Sequence, residues 1–206
     1  MAVDVSKLLL LMLLGVFAGF LNIMAGGGSL LTLPFLIFLG LPPGTANGTN
    51  RIAILVQNIL ATFRFHRFDV IPKGVRLLTA VPAILGSLLG AWIAVEIDAL
   101  LFKRILALIM VPVVSLMFFK KPEPREISGR PGTAQVVGLA LAFLGVGIYG
   151  GFIQGGIGFL IMAVLTFAGY DLVKTNALKV LVILLFTPFA LAIFVARGQV
   201  DYLLGA

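Results

Sequence analysis

The chain has 206 residues, 61% of them hydrophobic and only 11% charged, with a mean hydropathy of +1.17. That is too little polar surface to clothe a soluble core of this length, so much of the chain has a lipid bilayer as its solvent. The net charge of +7 does not point to nucleic acid: the basic residues gather in short gaps between apolar runs, with no aromatic-interleaved basic groove. There is no cysteine, hence no disulfide framework and no thiolate metal site, and no cofactor or other metal is implied.

In chain order, apolar segments fall at about 8–24, 29–41, 52–63, 77–95, 99–119, 135–153, 157–170 and 180–196. A bilayer-spanning helix needs roughly 20 mostly apolar residues, and several of these runs supply them. No small-residue cleavage site precedes the glycine-rich stretch, so 8–24 reads as a retained first helix and not as a signal peptide. Arg64, His66, Arg67, Lys73 and Arg76 form one basic loop. Lys120, Lys121, Arg125 and Arg130, diluted by Glu123 and Glu126, form another. Both are expected on the cytoplasmic side. Glu96 and Asp98 lie in an outer turn, and the uncharged link Leu41–Asn50 belongs outside as well. Pro34, Pro82, Pro112 and Pro188 read as kinks within apolar segments. Trp92, Tyr149, Tyr170 and Tyr202 suit the membrane–water interfaces.

The polar, Pro- and Gly-rich region 120–133 predicts a linker between a first repeat, 1–119, and a second, 134–206. Sliding the chain on itself by 129 positions pairs Gly26–Gly27 with Gly155–Gly156, Gly40 with Gly169, Asn47 with Asn176, and Ile54–Leu55 with Ile183–Leu184. An internal duplication of this kind is a common architecture of secondary transporters. In that register the second repeat lacks partners for 77–95 and 99–119. The expectation is a short natural form, a truncated reading frame or a fragment, completed by a further C-terminal segment or by a homo-oligomer.

Two features carry chemistry. The first is Ala25-Gly26-Gly27-Gly28-Ser29, which interrupts an apolar stretch, with its partner Gln154-Gly155-Gly156-Ile157-Gly158. Consecutive glycines weaken a helix by about 1 kcal/mol each, and the backbone groups so freed need protein or cavity water. The segments that follow, 29–41 and 157–170, are short for a full span. A pair of broken or re-entrant helices, with glycine turns lining a cavity, accounts for both. The spacings Gly15/Gly19, Gly86/Gly90 and Gly147/Gly151/Gly155 read instead as close helix contact.

The second feature is the polar approach to the next helix. Thr45, Asn47, Thr49, Asn50 and Arg51 precede Ile52, and Asp171, Lys174, Thr175, Asn176 and Lys179 precede Val180. Asn and Thr suit N-caps. Arg51 at a helix start opposes the macrodipole, whereas a cation with free N–H groups and hydroxyls resembles an anion site. Asn47, Asn50, Arg51, Asn58 and Thr62 share one broad helical face, with Asn176, Lys179 and Thr187 in the second half. For Arg51, Lys174 and Lys179 the competing reading is headgroup anchoring, and for Asn58 and Thr62 it is helix–helix hydrogen bonding. No Asp or Glu lies deep in an apolar segment, so no proton-relay carboxylate is visible. No base stands near Ser29 for an intramembrane protease, and no P-loop is present. The chain is expected not to be an enzyme.

The stretch GVFAGFLNIMAGGGSLLTLPFLIFLGLPPGTANGTNRIAILV resembles the first repeat of the TauE/SafE sulfite exporter family, also called the toluene sulfonate uptake permeases. GVGIYGGFIQGGIGFLIMAVLTFAGYDLVKTNALKV resembles its second repeat. The resemblance implies transport of sulfite, a small organosulfonate or a related organic anion across the prokaryotic inner membrane by a multi-pass protein. Gly26, Gly27, Gly28, Ser29, Asn47, Asn50, Gly155, Gly156, Gly158 and Asn176 match the family's motif regions. Thr49, Arg51, Asn58, Gln154 and Lys179 complete the candidate substrate-binding set. Ala163 stands where the first half has Pro34, so the two turns are not identical in composition. Crossing twice at each glycine interruption would give five spans per complete repeat and inverted halves, and Lys174 and Lys179 on the cytoplasmic side favour that arrangement. A non-transporting membrane subunit, a fragment and an anion channel are the alternatives.

Overall fold

The computed structural model describes residues 5–118 and 132–205. The basic loop of Lys120, Lys121, Glu123, Arg125, Glu126 and Arg130 lies outside the described residues. Within them the chain is helical, with no strand: α1 (Val5–Met24), α2 (Ser29–Phe38), α3 (Pro43–Arg67), α4 (Arg76–Glu96), α5 (Ala99–Phe118), α6 (Thr133–Phe152), α7 (Ile157–Phe167), α8 (Leu172–Ala196) and a single turn, α9 (Tyr202–Gly205). By length and composition, three described helical stretches can cross a membrane: Lys73–Glu96, Thr133–Phe152 and Leu172–Ala196. The outer surface agrees. On α1, Leu13, Val16 and Phe20 are 72%, 77% and 63% exposed, an apolar face that hydrocarbon accepts and water does not.

Two helices start earlier than the apolar pattern predicts. α3 begins at Pro43, with a second proline, Pro42, at the cap and no side-chain capping bond. Proline at the first helical position is pre-set for a helix and loses no hydrogen bond there. Thr45, Asn47, Thr49, Asn50 and Arg51 therefore occupy the first turns of α3 and not a link before it. In the same way α8 begins at Leu172, capped by the Asp171 carboxylate, which accepts from the amides of Val173 and Lys174. His66 belongs to the last turn of α3 with Arg64 and Arg67, where cations complement the helix dipole.

The chain turns back on itself after α1. Gly28 abuts Ala18 so closely that a Cβ would sit 1.8 Å from the Ala18 carbonyl oxygen, and the Ser29 amide returns to the Asn22 side chain at 3.0 Å. After α6, Ile157 comes back against Gly150 in the same way. α2 and α7 have ten and eleven residues, about 15–17 Å at the helical rise, half of a bilayer core. Both end ahead of a glycine in the left-handed region, Gly40 (φ 99°) and Gly169 (φ 86°).

α4 and α6 run parallel in the tightest helix contact. Gly86 and Gly90 meet the backbone of Leu144 to Phe152, while Gly147 and Gly151 meet Ala83 and Ser87. A Cβ on Gly90 would lie 2.0 Å from the Ile148 carbonyl oxygen, so only glycine permits this approach. The Gly15/Gly19 pair does not serve this purpose: nothing lies near Gly15, and Gly19 faces only the Gln57 side chain. Nor does Gly155 extend the ladder, because its nearest neighbour is the Leu30 side chain at 3.5 Å.

α3 and α8 run antiparallel. Gly48, near the start of α3, meets Phe194 and the Gln199 carbonyl, and Thr49 accepts a hydrogen bond from the Asp201 amide. At the opposite end, residues 69–73 beyond α3 share a surface cleft with Asp171, Val173 and Lys174 at the start of α8. One apolar cluster gathers around Phe143, Ile161, Leu178 and Phe186, and a second around Leu33, Ala91, Phe102 and Phe194.

Candidate functional site between the two glycine turns

The two glycine turns touch. Gly26, at φ 86°, lies against Gly158, and a Cβ on either would fall 2.3–2.4 Å from the other's Cα. Beside this contact is a crevice lined by Asn22, Gly26, Ser29, Ile54, Gln57, Asn58, Ile157 and Ile183. It holds about 10 Å³, room for roughly one water molecule. The lining is apolar on the side of Ile54, Ile157 and Ile183, and otherwise offers amide and hydroxyl groups. Asn22 accepts from both the amide and the hydroxyl of Ser29 (3.0 and 3.3 Å). Asn58 spends one amide hydrogen on the Ile54 carbonyl at 2.7 Å, and its oxygen is not among the buried unpartnered atoms. The amides of Gly27 and Gly28 make no hydrogen bond among the described residues.

Two buried cations flank this crevice. Arg51 donates from Nη1 to the Gly150 carbonyl (3.0 Å) and from Nη2 to the Gly151 carbonyl (2.5 Å), and its guanidinium lies 4.6 Å from the centre of the Phe194 ring. Asn47 adds a bond to the Phe152 carbonyl at 2.7 Å. Helix α3 thereby caps the orphan carbonyls at the end of α6, where the dipole is negative. Lys179 does the same across the molecule, donating to the Asn22 and Ile23 carbonyls at the end of α1 (3.0 and 2.9 Å). Arg51 thus answers a foreign dipole, which explains its place near the start of α3 without an anion.

A family model described as "Sulfite exporter TauE/SafE" matches residues 11–206. The chain belongs to the TauE/SafE family. The TauE/SafE chain is 27% identical to a Haemophilus influenzae protein named "Probable membrane transporter protein", over 206 residues, 100% of this chain and 80% of that one. It is 30% identical to "Probable membrane transporter protein YfcA" of Escherichia coli K12, over 207 residues, 98% of this chain and 76% of the relative. "Probable membrane transporter protein ORF9" of a Sinorhizobium species is 30% identical over 162 residues, 78% of this chain and 61% of its own. No solved structure matches. Family and helix composition together make this a membrane protein of a transporter family.

Of the residues singled out in the TauE/SafE sequence, the fold brings Gly26, Ser29 and Asn58 to the crevice and sets Gly158 against Gly26. Gly27 and Gly28 complete the first turn, and Gly155 and Gly156 the second. Gln154 is buried and donates to the Thr187 hydroxyl at 2.7 Å, while Tyr149 donates to the Gly155 carbonyl at 2.5 Å. Tyr149, half-buried, therefore braces the second turn from within the fold. Asn50 accepts from Thr32 at 2.6 Å, and Thr49 serves the Asp201 amide. Asn47, Arg51 and Lys179 stand behind the lining as helix caps. Asn176 is placed in α8 with its side-chain oxygen buried and unpartnered. Sequence reasoning missed Asn22 and Gln57. Asn22 is an amide inside an otherwise apolar helix and Gln57 stands beside Asn58, signals that were available.

Proposed function

We propose that this TauE/SafE chain is a secondary transporter moving sulfite, a small organosulfonate or a related organic anion across the inner membrane of a prokaryote. The observation that carries the reading is the crevice at the contact of the two glycine turns. Its polar lining of Ser29, Asn58, Gln57 and Asn22 is neutral, and Arg51 and Lys179 add positive charge one helical turn away. A small oxyanion suits such a place: amide and hydroxyl donors take its oxygens, and buried cations offset its charge in a medium of low dielectric.

The transport cycle rests on two inverted repeats. Helices α3 and α8 have bounds that differ by 129 positions at each end and run antiparallel. Asp69 and Gly198, also 129 apart, both have positive φ beyond those helices. The crossed caps follow the same relation, α3 on the end of α6 and α8 on the end of α1. Turn-backs after α1 and α6 fit re-entrant hairpins and five spans per complete repeat. The positive-inside rule puts the end of α3, with Arg64, His66 and Arg67, in the cytoplasm. A crevice with room for about one water corresponds to a closed conformation. Separating the α1–α2 hairpin from the α6–α7 hairpin admits the anion, first from one face and then from the other.

The test is transport by the purified protein in liposomes. Saturable sulfite or sulfonate flux that is accelerated by unlabelled substrate on the far side supports the reading. Non-saturating flux without counterflow would indicate an anion channel, and no flux of any sulfonate would remove the proposal.

A further inference from the structure

Arg51 and Lys179 are placed as a pair with respect to the crevice. On α3, Arg51 lies three residues before Ile54 and seven before Asn58, so all three share a helix face. On α8, Lys179 lies four residues before Ile183, again on one face. Ile54, Asn58 and Ile183 line the crevice. Because α3 and α8 run antiparallel, Arg51 sits one turn from the crevice towards the face where α3 begins. Lys179 sits one turn from it towards the face where α8 begins. Each cation is fully buried and bound to the last carbonyls of a helix from the other half of the chain: Arg51 to Gly150 and Gly151, Lys179 to Asn22 and Ile23.

We propose that Arg51 and Lys179 are two opposed latches, each closing the crevice towards one membrane face by fastening the end of a hairpin helix to the antiparallel α3–α8 pair. This rests on the transporter reading above and assigns residues to its two gates. The Arg51 latch holds α6 against the outer half of α3, and the Lys179 latch holds α1 against the inner half of α8. When a latch opens, the freed carbonyls and the freed cation both need a new partner in low dielectric, and each unmet group is costly. Water from the nearer face meets that need, and an anion leaving the crevice meets the need of the cation. Only one latch can open while the other keeps the hairpins together, which is the logic of alternating access. Both are positioning residues: they act through the helix ends they hold.

The absence of cysteine from the chain makes the test direct. A single reporter, Ile183→Cys, is placed in the crevice of the full chain and labelled with a membrane-impermeant maleimide in right-side-out and in inverted vesicles. With both latches intact, labelling is slow from either face. Arg51→Gln is expected to speed it roughly tenfold from the face where α3 begins, and Lys179→Gln by a similar factor from the face where α8 begins. Tenfold is the population shift produced by losing about 1.4 kcal/mol of differential stabilisation. If either Gln variant is not recovered folded in the membrane, Arg51→Lys and Lys179→Arg replace them, with smaller increases on the same faces. Acceleration from the same face by both variants, from the opposite face, or from neither would overturn the latches. Failure of sulfite to slow labelling or to be transported, with opposite-sided acceleration intact, would refute the substrate and leave the latches standing.

Discussion

The two glycine turns occupy matching positions in the sequence yet differ in what surrounds them. The first is held by Asn22 and Ser29, which also border the crevice. The second is sewn shut: Tyr149 bonds the Gly155 carbonyl, Gln154 bonds Thr187, and only Ile157 reaches the crevice. The same contrast appears one helix on, where Asn58 lines the crevice while its counterpart 129 positions later, Thr187, is consumed by Gln154. Matching positions in the sequence therefore do not imply matching surroundings. One turn borders the crevice and the other is closed by internal hydrogen bonds.

The sharpest way to break this comparison is at the glycines themselves. Gly26→Ala places a Cβ 2.4 Å from the Gly158 backbone in a left-handed conformation, so it is expected to abolish folded protein, a loss of more than about 3 kcal/mol from strain and clash together. Gly155→Ala, at the position that pairs with Gly26 in sequence, meets nothing closer than 3.5 Å and should cost less than about 1 kcal/mol. Thermal unfolding in detergent ranks the two. Equal sensitivity would mean that the turns are interchangeable after all.

Thr187→Val comes next. It leaves the buried Gln154 amide without its acceptor, at a cost of about 1–3 kcal/mol, seen as a lower unfolding temperature with substrate affinity unchanged. Tyr149→Phe removes one bond to the Gly155 carbonyl and should cost about 1 kcal/mol in the same assay. The smallest effect belongs to the helix starts. Asp171 caps α8, and Asp171→Ala should destabilise by about 0.5–1 kcal/mol, whereas α3 starts on Pro42 and Pro43 and has no such cap to lose. Burial works to raise the Asp171 pKa, but the amide, side-chain bond and charge of Lys174 outweigh it and hold the carboxyl below its ordinary value of 3.8. Its capping contribution is therefore present above that ordinary value and disappears as pH falls through the lower, folded-state pKa. A pH titration of unfolding should show this loss in wild type and not in Asp171→Ala.

The sequence made the helical membrane setting and most helix bounds legible, because hydropathy acts locally. Where it misled, the cause was tertiary. Polar residues at 45–51 looked like a link because burying them in a helix is costly. For Asn47 and Arg51 the partners that offset the cost are α6 carbonyls about 100 residues away, which no local pattern announces. Arg51 and Lys179 read two ways in the sequence, as anion ligands or as headgroup anchors, and no local pattern announces the helix ends whose carbonyls they bind. Asn22 passed unnoticed as a lone polar residue of an apolar helix and Gln57 beside the more prominent Asn58, and the meeting of α1 with α3 brings both to the crevice.

The central claim is that the ligand space belongs to the first turn and Asn58, and the measurement that tests it most directly is calorimetric titration of sulfite and a small sulfonate into purified wild type, Asn58→Leu and Thr187→Val. Removing a hydrogen bond to an anionic ligand is worth about 1.5–3 kcal/mol, so Asn58→Leu should weaken binding by roughly ten- to a hundredfold while Thr187→Val leaves it as in wild type. Unchanged affinity in folded Asn58→Leu, or an equal loss in both variants, would contradict the assignment.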